Sequence, residues 1–363
     1  MAGGLFWASV VLAVIISVFA LDIMGLFSRK NHLEVDGKTV LLTGGSTGMG
    51  RGVAKILAKK GANIVIVARN QQRLAEAVKY ISASAKDTSK QRFHTISADV
   101  TKPEENDRIM AEATKWNHGQ PPDIVWQVAG GAHPALFKDT PIEVLRSQMD
   151  MNYWGAAYLA HTTLNAWTKP SAGSQDASTG PRQFIMTSSV AALLGAAGYA
   201  PYCPAKAAMR SLADTLRSEV NIYNGSRRSK DPSVRAEAPG RDISIHLVMP
   251  GTITSPGFEN ENLTKHAVTK LLEKDDSPQT EDEVAAAAVK GLESGGFIVT
   301  TQFIASLLRA GMLGGSARNN WLLDTLMSWV VAVAWLFIGP DMDAKVFNYG
   351  KKYGAKNVEE GAK

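Results

Sequence analysis

Tyr202 and Lys206 stand four residues apart in Tyr202-Cys203-Pro204-Ala205-Lys206. The lysine lies within AKAAMRSLADTLRSEV, whose apolar residues recur at helical spacing, so both side chains share one helix face. Pro204 suits the first turn of that helix, where its missing N–H costs little. A phenol with a pKa of about 10 exchanges protons poorly at neutral pH, and a neighbouring ammonium lowers it by favouring phenolate. Such a pair can give a proton to a carbonyl oxygen as hydride reaches the carbon. Ser189, thirteen residues before Tyr202 at the end of an apolar run, can hydrogen-bond the same oxygen. Asn152, in Met151-Asn152-Tyr153-Trp154-Gly155, begins another helix. Tyr199 has no lysine four residues on and reads as packing, and Cys203 as an inert neighbour.

The hydride carrier has its own signature. The run KTVLLTGG is a buried strand, followed by Thr43-Gly44-Gly45-Ser46-Thr47-Gly48-Met49-Gly50 and then the helical RGVAKILAKKG. Gly44, Gly48 and Gly50 let the backbone turn tightly, and with Ser46 and Thr47 they bring a pyrophosphate to the N–H groups of a helix start. Gly44-x-Ser46-x-Gly48 also spells a hydrolase nucleophile elbow, but this loop follows the first strand, and His246, inside a strand, is a poor partner. The second strand ends Val67-Ala68-Arg69-Asn70, without the acid that bonds the ribose hydroxyls of NAD. The Arg69 guanidinium, with Arg73 one turn on, suits a ribose 2′-phosphate and favours NADPH.

The constellation resembles the classical short-chain dehydrogenase/reductase family from about residue 36 to 300. It is carried by T43-G-x-x-x-G48-x-G50, Asp99-Val100, Asn152, Ser189, Y202-x-x-x-K206 and Pro250-Gly251. The resemblance implies Tyr202 as catalytic acid/base and Lys206 as the group that lowers its pKa and holds the nicotinamide ribose. It also implies Ser189 orienting the substrate carbonyl, Asn152 supporting a proton relay, and Asp99-Val100 at the adenine. Where the family has Asn-Asn-Ala-Gly after the fourth strand, this chain has Gln127-Val128-Ala129-Gly130: the glycine is present, the asparagines are not.

These residues need a frame. NIVIVA, FHTISAD, IVWQVAG, FIMTSS, ISIHLVM and FIVT are short apolar runs separated by helical patterns such as QQRLAEAVKYI. Strands alternating with helices predict a Rossmann-like, doubly wound parallel α/β sheet. At 363 residues, 45 % hydrophobic and 20 % charged, the chain can bury a substantial core. A dispersed net charge of +5 gives no ground for a nucleic-acid partner, and one cysteine precludes an intramolecular disulfide. Polar segments at 168–182 and 224–241 read as mobile surface loops, the second with Arg227, Arg228, Lys230, Arg235 and Arg241 able to meet lipid heads.

Both ends depart from this pattern. Residues 5–27, uncharged but for Asp22, are long enough to span a bilayer, and Arg29-Lys30 after them place the rest of the chain in the cytosol. No lysine or arginine precedes the apolar run, as a cleavable signal would require. Near the other end, Leu326 to Ile338 is uncharged but short of a span unless Trp321 to Asp324 join it; a span, an interfacial helix and a core helix all fit, and the tryptophans with Lys345, Lys351 and Lys352 favour membrane contact. The expected division is a membrane anchor at 1–34, an NADP(H)-binding reductase domain at 35–318 and a C-terminal membrane-associating segment with a polar tail at 319–363.

Ser255-Pro-Gly-Phe-Glu-x-Glu-Asn-x-x-Lys265, after Pro250-Gly251, is similar to the lid of family members that reduce long-chain sphingoid ketones. The resemblance implies NADPH-dependent reduction of a 3-keto sphingoid base at the endoplasmic reticulum membrane, with Tyr202 as proton donor and the catalytic domain facing the cytosol. A reductase of another lipid ketone, steroid or retinoid, and a non-catalytic scaffold on the same fold remain alternatives. Asn224-Gly-Ser and Asn262-Leu-Thr are glycosylation acceptors that would report a lumenal orientation. Self-association into a homo-oligomer, through the helix bearing Tyr202, is a further expectation from the family.

Overall fold

The computed structural model describes residues 30–170, 180–353 and 356–358, so the predicted N-terminal span at 5–27 lies outside the described residues. Each apolar run becomes a strand: β1 (Thr39–Thr43), β2 (Asn63–Ala68), β3 (Phe93–Ser97), β4 (Ile124–Gln127), β5 (Arg182–Thr187), β6 (Ile243–Met249) and β7 (Ile298–Thr300). All pair in parallel, in the order β3-β2-β1-β4-β5-β6-β7. The order reverses between β1 and β4, which opens a crevice at the carboxyl ends of those two strands.

Between the strands run α1 (Gly48–Lys59), α2 (Gln71–Ser82), α3 (Pro103–Trp116), α4 (Ile142–Met149), α5 (Gly155–Trp167) and α6 (Cys203–Ser226). A short α7 (Pro232–Ala236) precedes β6; then come α8 (Pro256–Thr264), α9 (Ala267–Leu272), α10 (Glu281–Glu293), α11 (Phe303–Gly311) and α12 (Trp321–Tyr353). Because alternate strand residues face opposite ways, the sheet has two cores. Val40, Leu42, Ile64 and Ile66 meet Val53 and Leu57 of α1 and Val284 and Ala288 of α10. Leu41, Val65 and Val67 face the other way, into a core shared with Ile109 of α3, Leu159 of α5 and Met209 of α6.

Two expectations are corrected, and the start of the last helix is placed. The basic segment 224–241 is anchored: α6 continues to Ser226, Arg227 and Arg228 both grip Asp242, the latter at 2.6 Å, and Arg241 pairs with Asp123. These arginines are committed to the protein and not held out to lipid. The Asn224 amide braces the start of β6, donating to the Ile243 carbonyl at 2.9 Å and accepting from its N–H at 2.8 Å. A side chain so used is no glycosylation acceptor. Asp324 lies in the first turn of α12, 1 % exposed, clasped by Arg309 of α11 at 2.7 and 3.0 Å, and accepts from the Asn319 N–H.

That clasp fixes one face of α12 on α11, where Leu323 and Met327 pack on Ala310. Its last turns return to the domain, with Tyr349 buried on Ala267 and Val268 of α9. Trp321, Trp329, Val333, Leu336 and Phe337 face outward. By length and composition alone, Trp321–Tyr353 is apolar enough to cross a membrane.

Candidate active site

The glycine loop leaves β1 at the crevice. Gly44 (φ +70°) donates to the Val67 carbonyl, and a Cβ on it would lie 2.7 Å from the Ala129 nitrogen. A Cβ on Gly50 would lie 2.3 Å from the Gly44 oxygen, so the loop closes on itself only with hydrogen there. Thr47 caps α1 without a side-chain hydrogen bond and the first turn carries no acid, which leaves the helix N–H groups and dipole to a phosphate; Ser46 and Thr47 are half-buried beside them.

Arg69 and Arg73 lie exposed past the end of β2, and among the described residues neither guanidinium forms an ion pair. Val100 is buried against α5, where a Cβ on Gly155 would come within 3.2 Å of it. The Asp99 carboxylate accepts from the Thr101 N–H and hydroxyl at 3.1 and 2.9 Å, a local turn that fixes its direction. Loop, helix start and free arginines fit a nicotinamide dinucleotide in this crevice.

The reacting groups meet on the β5 side. Tyr202 is half-buried with Ser189 near enough to act on its phenol, and the Ser189 hydroxyl donates to the Pro250 carbonyl at 3.5 Å and accepts from the Ala191 N–H at 3.2 Å. Asn152 is fully buried on a π-helical turn, Asp150–Trp154, and its amide donates to the Gly131 and Gln148 carbonyls at 2.9 and 3.0 Å. Helices carry such a turn frequently at functional sites, because it re-aims one side chain. Gly130 is wedged between two site residues: a Cβ there would lie 2.8 Å from Asn152 Oδ1 and 3.1 Å from Lys206 Nζ.

Lys206 joins the cluster at its buried side. Its ammonium donates to the Thr187 carbonyl at 3.1 Å and lies 5.5 Å from the centre of the Tyr202 ring. Burial lowers its pKa to about 7. Burial also pushes the Tyr202 phenol above its ordinary value, with the Glu261 charge adding and the Ser189 hydrogen bond opposing. Desolvation of the phenolate outweighs an ammonium that points elsewhere. The phenol is thus kept protonated, the form that donates.

Gln127 fills the place of the missing asparagines. Buried at the end of β4, it accepts from the Thr187 N–H at 3.4 Å and donates to the Ala129 carbonyl, while Thr43 Oγ1 accepts from the Val128 and Ala129 N–H groups. The strand end is therefore held by its own amide.

Spacing does not reveal the lid's charges. Tyr199, read as packing, donates to Glu273 at 2.6 Å, and Glu273 pairs with Lys265 at 2.7 Å. Glu261, on α8, has its carboxyl pushed up chiefly by burial, opposed by the Lys265 charge, and its own charge acts on Tyr199, Tyr202 and Lys206. The lid segment Ser255 to Lys265 contains Glu261 and Lys265, so their presence is visible in the sequence and their facing is not. Cys203 has its thiol pushed up by burial, as an inert neighbour should, and His246 Nδ1 donates to the Gly296 carbonyl within the core.

Residues 38–225 match the short chain dehydrogenase family model. A 3-ketodihydrosphingosine reductase of Aspergillus fumigatus is 50 % identical over 91 % of this chain and 89 % of its own, and one of Neurospora crassa 42 % identical over 96 % and 92 %. A short chain dehydrogenase/reductase of Burkholderia phymatum, solved in complex with NAD, superposes with a TM-score of 0.60 at 18 % identity, covering 77 % of this chain and 94 % of its own. That structure shares the fold. The chain belongs to the short-chain dehydrogenase family and is an oxidoreductase acting on a keto or hydroxyl group.

Proposed function

We propose that the protein reduces the 3-keto group of 3-ketodihydrosphingosine to dihydrosphingosine with NADPH. The observation that carries this is the nearness of Ser189 to Tyr202 beside a dinucleotide crevice, in a chain similar over most of its length to the named reductases. When bound, the reduced nicotinamide supplies a hydride to the ketone carbon. Ser189 donates to the ketone oxygen and orients it. Tyr202 gives its phenolic proton to that oxygen, so one C–H and one O–H bond form as the carbonyl π bond is lost. Lys206 and Asn152, on either side of Gly130, stand on the route by which a proton returns to Tyr202. Arg69 and Arg73 favour NADPH, since a guanidinium fork matches the 2′-phosphate.

A membrane-borne substrate agrees with the outer features. A cleft of about 450 Å³ lies between Ala196 and Ala197, in the loop leading to Tyr199, and Leu272, Val346 and Phe347. Its apolar lining suits an alkyl tail, and the outward face of α12 adjoins it. The domain at 35–318 then works at the endoplasmic reticulum surface, held by residues 1–34 and 319–363 and facing the cytosol.

The test is NADPH oxidation by detergent-solubilised protein given 3-ketodihydrosphingosine, beside Tyr202→Phe and an NADH arm. Turnover with NADPH, reduced about 10²–10⁴-fold by Tyr202→Phe, is expected of a lost general acid. Folded, NADPH-binding protein that leaves this ketone untouched sinks the substrate.

A further inference from the structure

The last helix is fastened at both ends and open between. Near its start the buried Asp324 carboxylate is held by Arg309 at 2.7 and 3.0 Å, and near its end Tyr349 is buried on Ala267 and Val268. Both fastenings belong to the catalytic domain. α11 is tied to β7, where the Ser306 and Thr300 hydroxyls are bonded at 2.6 Å, and the Thr269 hydroxyl of α9 donates at 2.9 Å to the Ala197 carbonyl, in the loop that leads to Tyr199. A helix that crosses a bilayer delivers its ends to opposite sides of about 30 Å of hydrocarbon. α12 could do so only by giving up one fastening, and withdrawing Asp324 would leave Arg309 buried without its partner.

Between the fastenings the outward side is apolar. At about 100° per residue, Leu322, Trp329, Val333, Leu336 and Phe347 fall within about 60° of one another, and Asp324, Met327, Val331 and Tyr349 centre on the opposite side. The first five are 60–73 % exposed and the last four are buried. From Trp321 to Pro340 the helix carries one charged side chain, Asp324, and that one is turned inward. Single apolar residues on a surface are ordinary, but a stripe along a 33-residue helix marks a face that meets something.

Its neighbours say what it meets. Phe347 lies in the stripe and also lines the cleft with Ala196, Ala197 and Leu272, so a protein laid over the stripe would seal the cleft, whereas lipid would open into it. At the other end of α12 the Asn319 side chain accepts from the Phe297 N–H at 2.9 Å, and a Cβ on the adjoining Gly296 would lie 3.3 Å from it. There the His32 N–H donates to the Glu293 carbonyl at 2.9 Å, and His32 covers Gly295. The apolar residues 5–27 therefore join the domain at the edge where α12 starts. Trp321 and Trp329, with the exposed Lys351 and Lys352 of the last turn, are side chains favoured at the level of lipid head groups.

We infer that α12 lies in the plane of the membrane without crossing it, the stripe from Leu322 to Phe347 against lipid and both ends on the side of the catalytic domain. This rests on the membrane-surface reading above and deepens it by fixing how the domain sits. The face of an interfacial helix turned away from lipid is ordinarily polar. Here the folded domain takes that place, so docking turns the cleft to the bilayer, and a long-chain ketone passes along Phe347 without crossing water.

The experiment reads sidedness and depth in the full chain, reconstituted into sealed vesicles of phosphatidylcholine and phosphatidylserine. On a Cys203→Ser background, Gly225→Cys marks the domain, and Gly315→Cys and Gly350→Cys mark the two ends of α12; a Cβ at each meets no atom within 4 Å. In vesicles where a membrane-impermeant maleimide labels position 225 from outside, positions 315 and 350 should label to the same extent. One end reached only after detergent means a span and overturns the in-plane placement. A nitroxide on Val333→Cys should sit about 5–10 Å into the boundary of head groups and acyl chains. A depth of about 15 Å, the middle of the hydrocarbon, belongs to a span. A nitroxide shielded from both oxygen and lipid means that residues 5–27 or a second copy cover the stripe, and overturns the placement too. NADPH binding verifies that each variant is folded. Protein that does not float with the vesicles overturns the membrane reading itself and leaves the reductase chemistry standing.

Discussion

Lys206 follows Tyr202 by one helical turn, yet its ammonium donates to the Thr187 carbonyl at 3.1 Å and stands 5.5 Å from the centre of the Tyr202 ring. The two residues share a helix face without a direct hydrogen bond, and Ser189 is the group that opposes the rise of the phenol's pKa.

This arrangement makes a prediction about the reverse reaction. Oxidation of dihydrosphingosine by NADP⁺ needs the phenolate, and burial holds the Tyr202 pKa above its ordinary 10.0. The logarithm of kcat/KM for oxidation should therefore climb with pH through 9 and on to 10, without levelling. A plateau beginning near pH 7 would mean that Lys206 sets the tyrosine's pKa after all.

Lys206 should leave its own mark on stability. Its folded pKa, about 7, lies below the ordinary 10.5, so between these values the unfolded chain binds more protons than the folded one. Stability then rises with pH across that window, and the burial penalty is complete below it. Melting temperatures of wild type and Lys206→Met, taken without cofactor, should show the wild type gaining on the variant from pH 7 to 10. Parallel curves would refute the depressed value.

Arg69 and Arg73 lie exposed past the end of β2 without an ion pair among the described residues, as the proposed NADPH site requires. Removing one charge-assisted contact of about 1.5–3 kcal/mol should weaken NADPH binding roughly 10–100-fold. For Arg69→Ala the KM for NADPH should rise by that factor while the KM for NADH moves little. Equal losses with both cofactors would place Arg69 outside the phosphate site.

The Arg309–Asp324 clasp is nearly dry, with side-chain exposures of 7 % and 1 %. Arg309→Met strands a buried carboxylate, a change that typically costs about 3–5 kcal/mol. Thermal unfolding should drop by several degrees, and Arg309→Met with Asp324→Leu should recover most of the loss. A double variant no more stable than the single one would show that the pair's geometry, and not its charge, holds α12.

The frame of this protein is legible because its strands are local. NIVIVA forms β2 over Asn63–Ala68 to the residue, since a β-branched run can be buried on both faces in no other way. The glycine loop is legible for the same reason: strand, turn and helix start are contiguous. What the sequence hides is set by distant partners. Arg227 and Arg228 belong to a polar, loop-like stretch until Asp242 is seen to take both. Asp324 falls in an apolar run until Arg309 closes on it. Helical spacing puts Lys206 on the right face, but a carbonyl at the end of β5 decides where its ammonium goes. Glu261 and Lys265 are written in the lid segment, and only the fold shows Lys265 taken by Glu273.

The long last helix also acts as a ruler. Asp324 is fixed to α11 at one end and Tyr349 to α9 at the other, 25 positions later (349 − 324). At 3.6 residues per turn that interval is about seven turns and about 37 Å, so both side chains return to the same side of the helix. A single inserted residue would rotate Tyr349 by roughly 100° away from Ala267 and Val268. Length here is a specification: between its two fastenings this segment tolerates exchange of side chains far better than insertion or deletion.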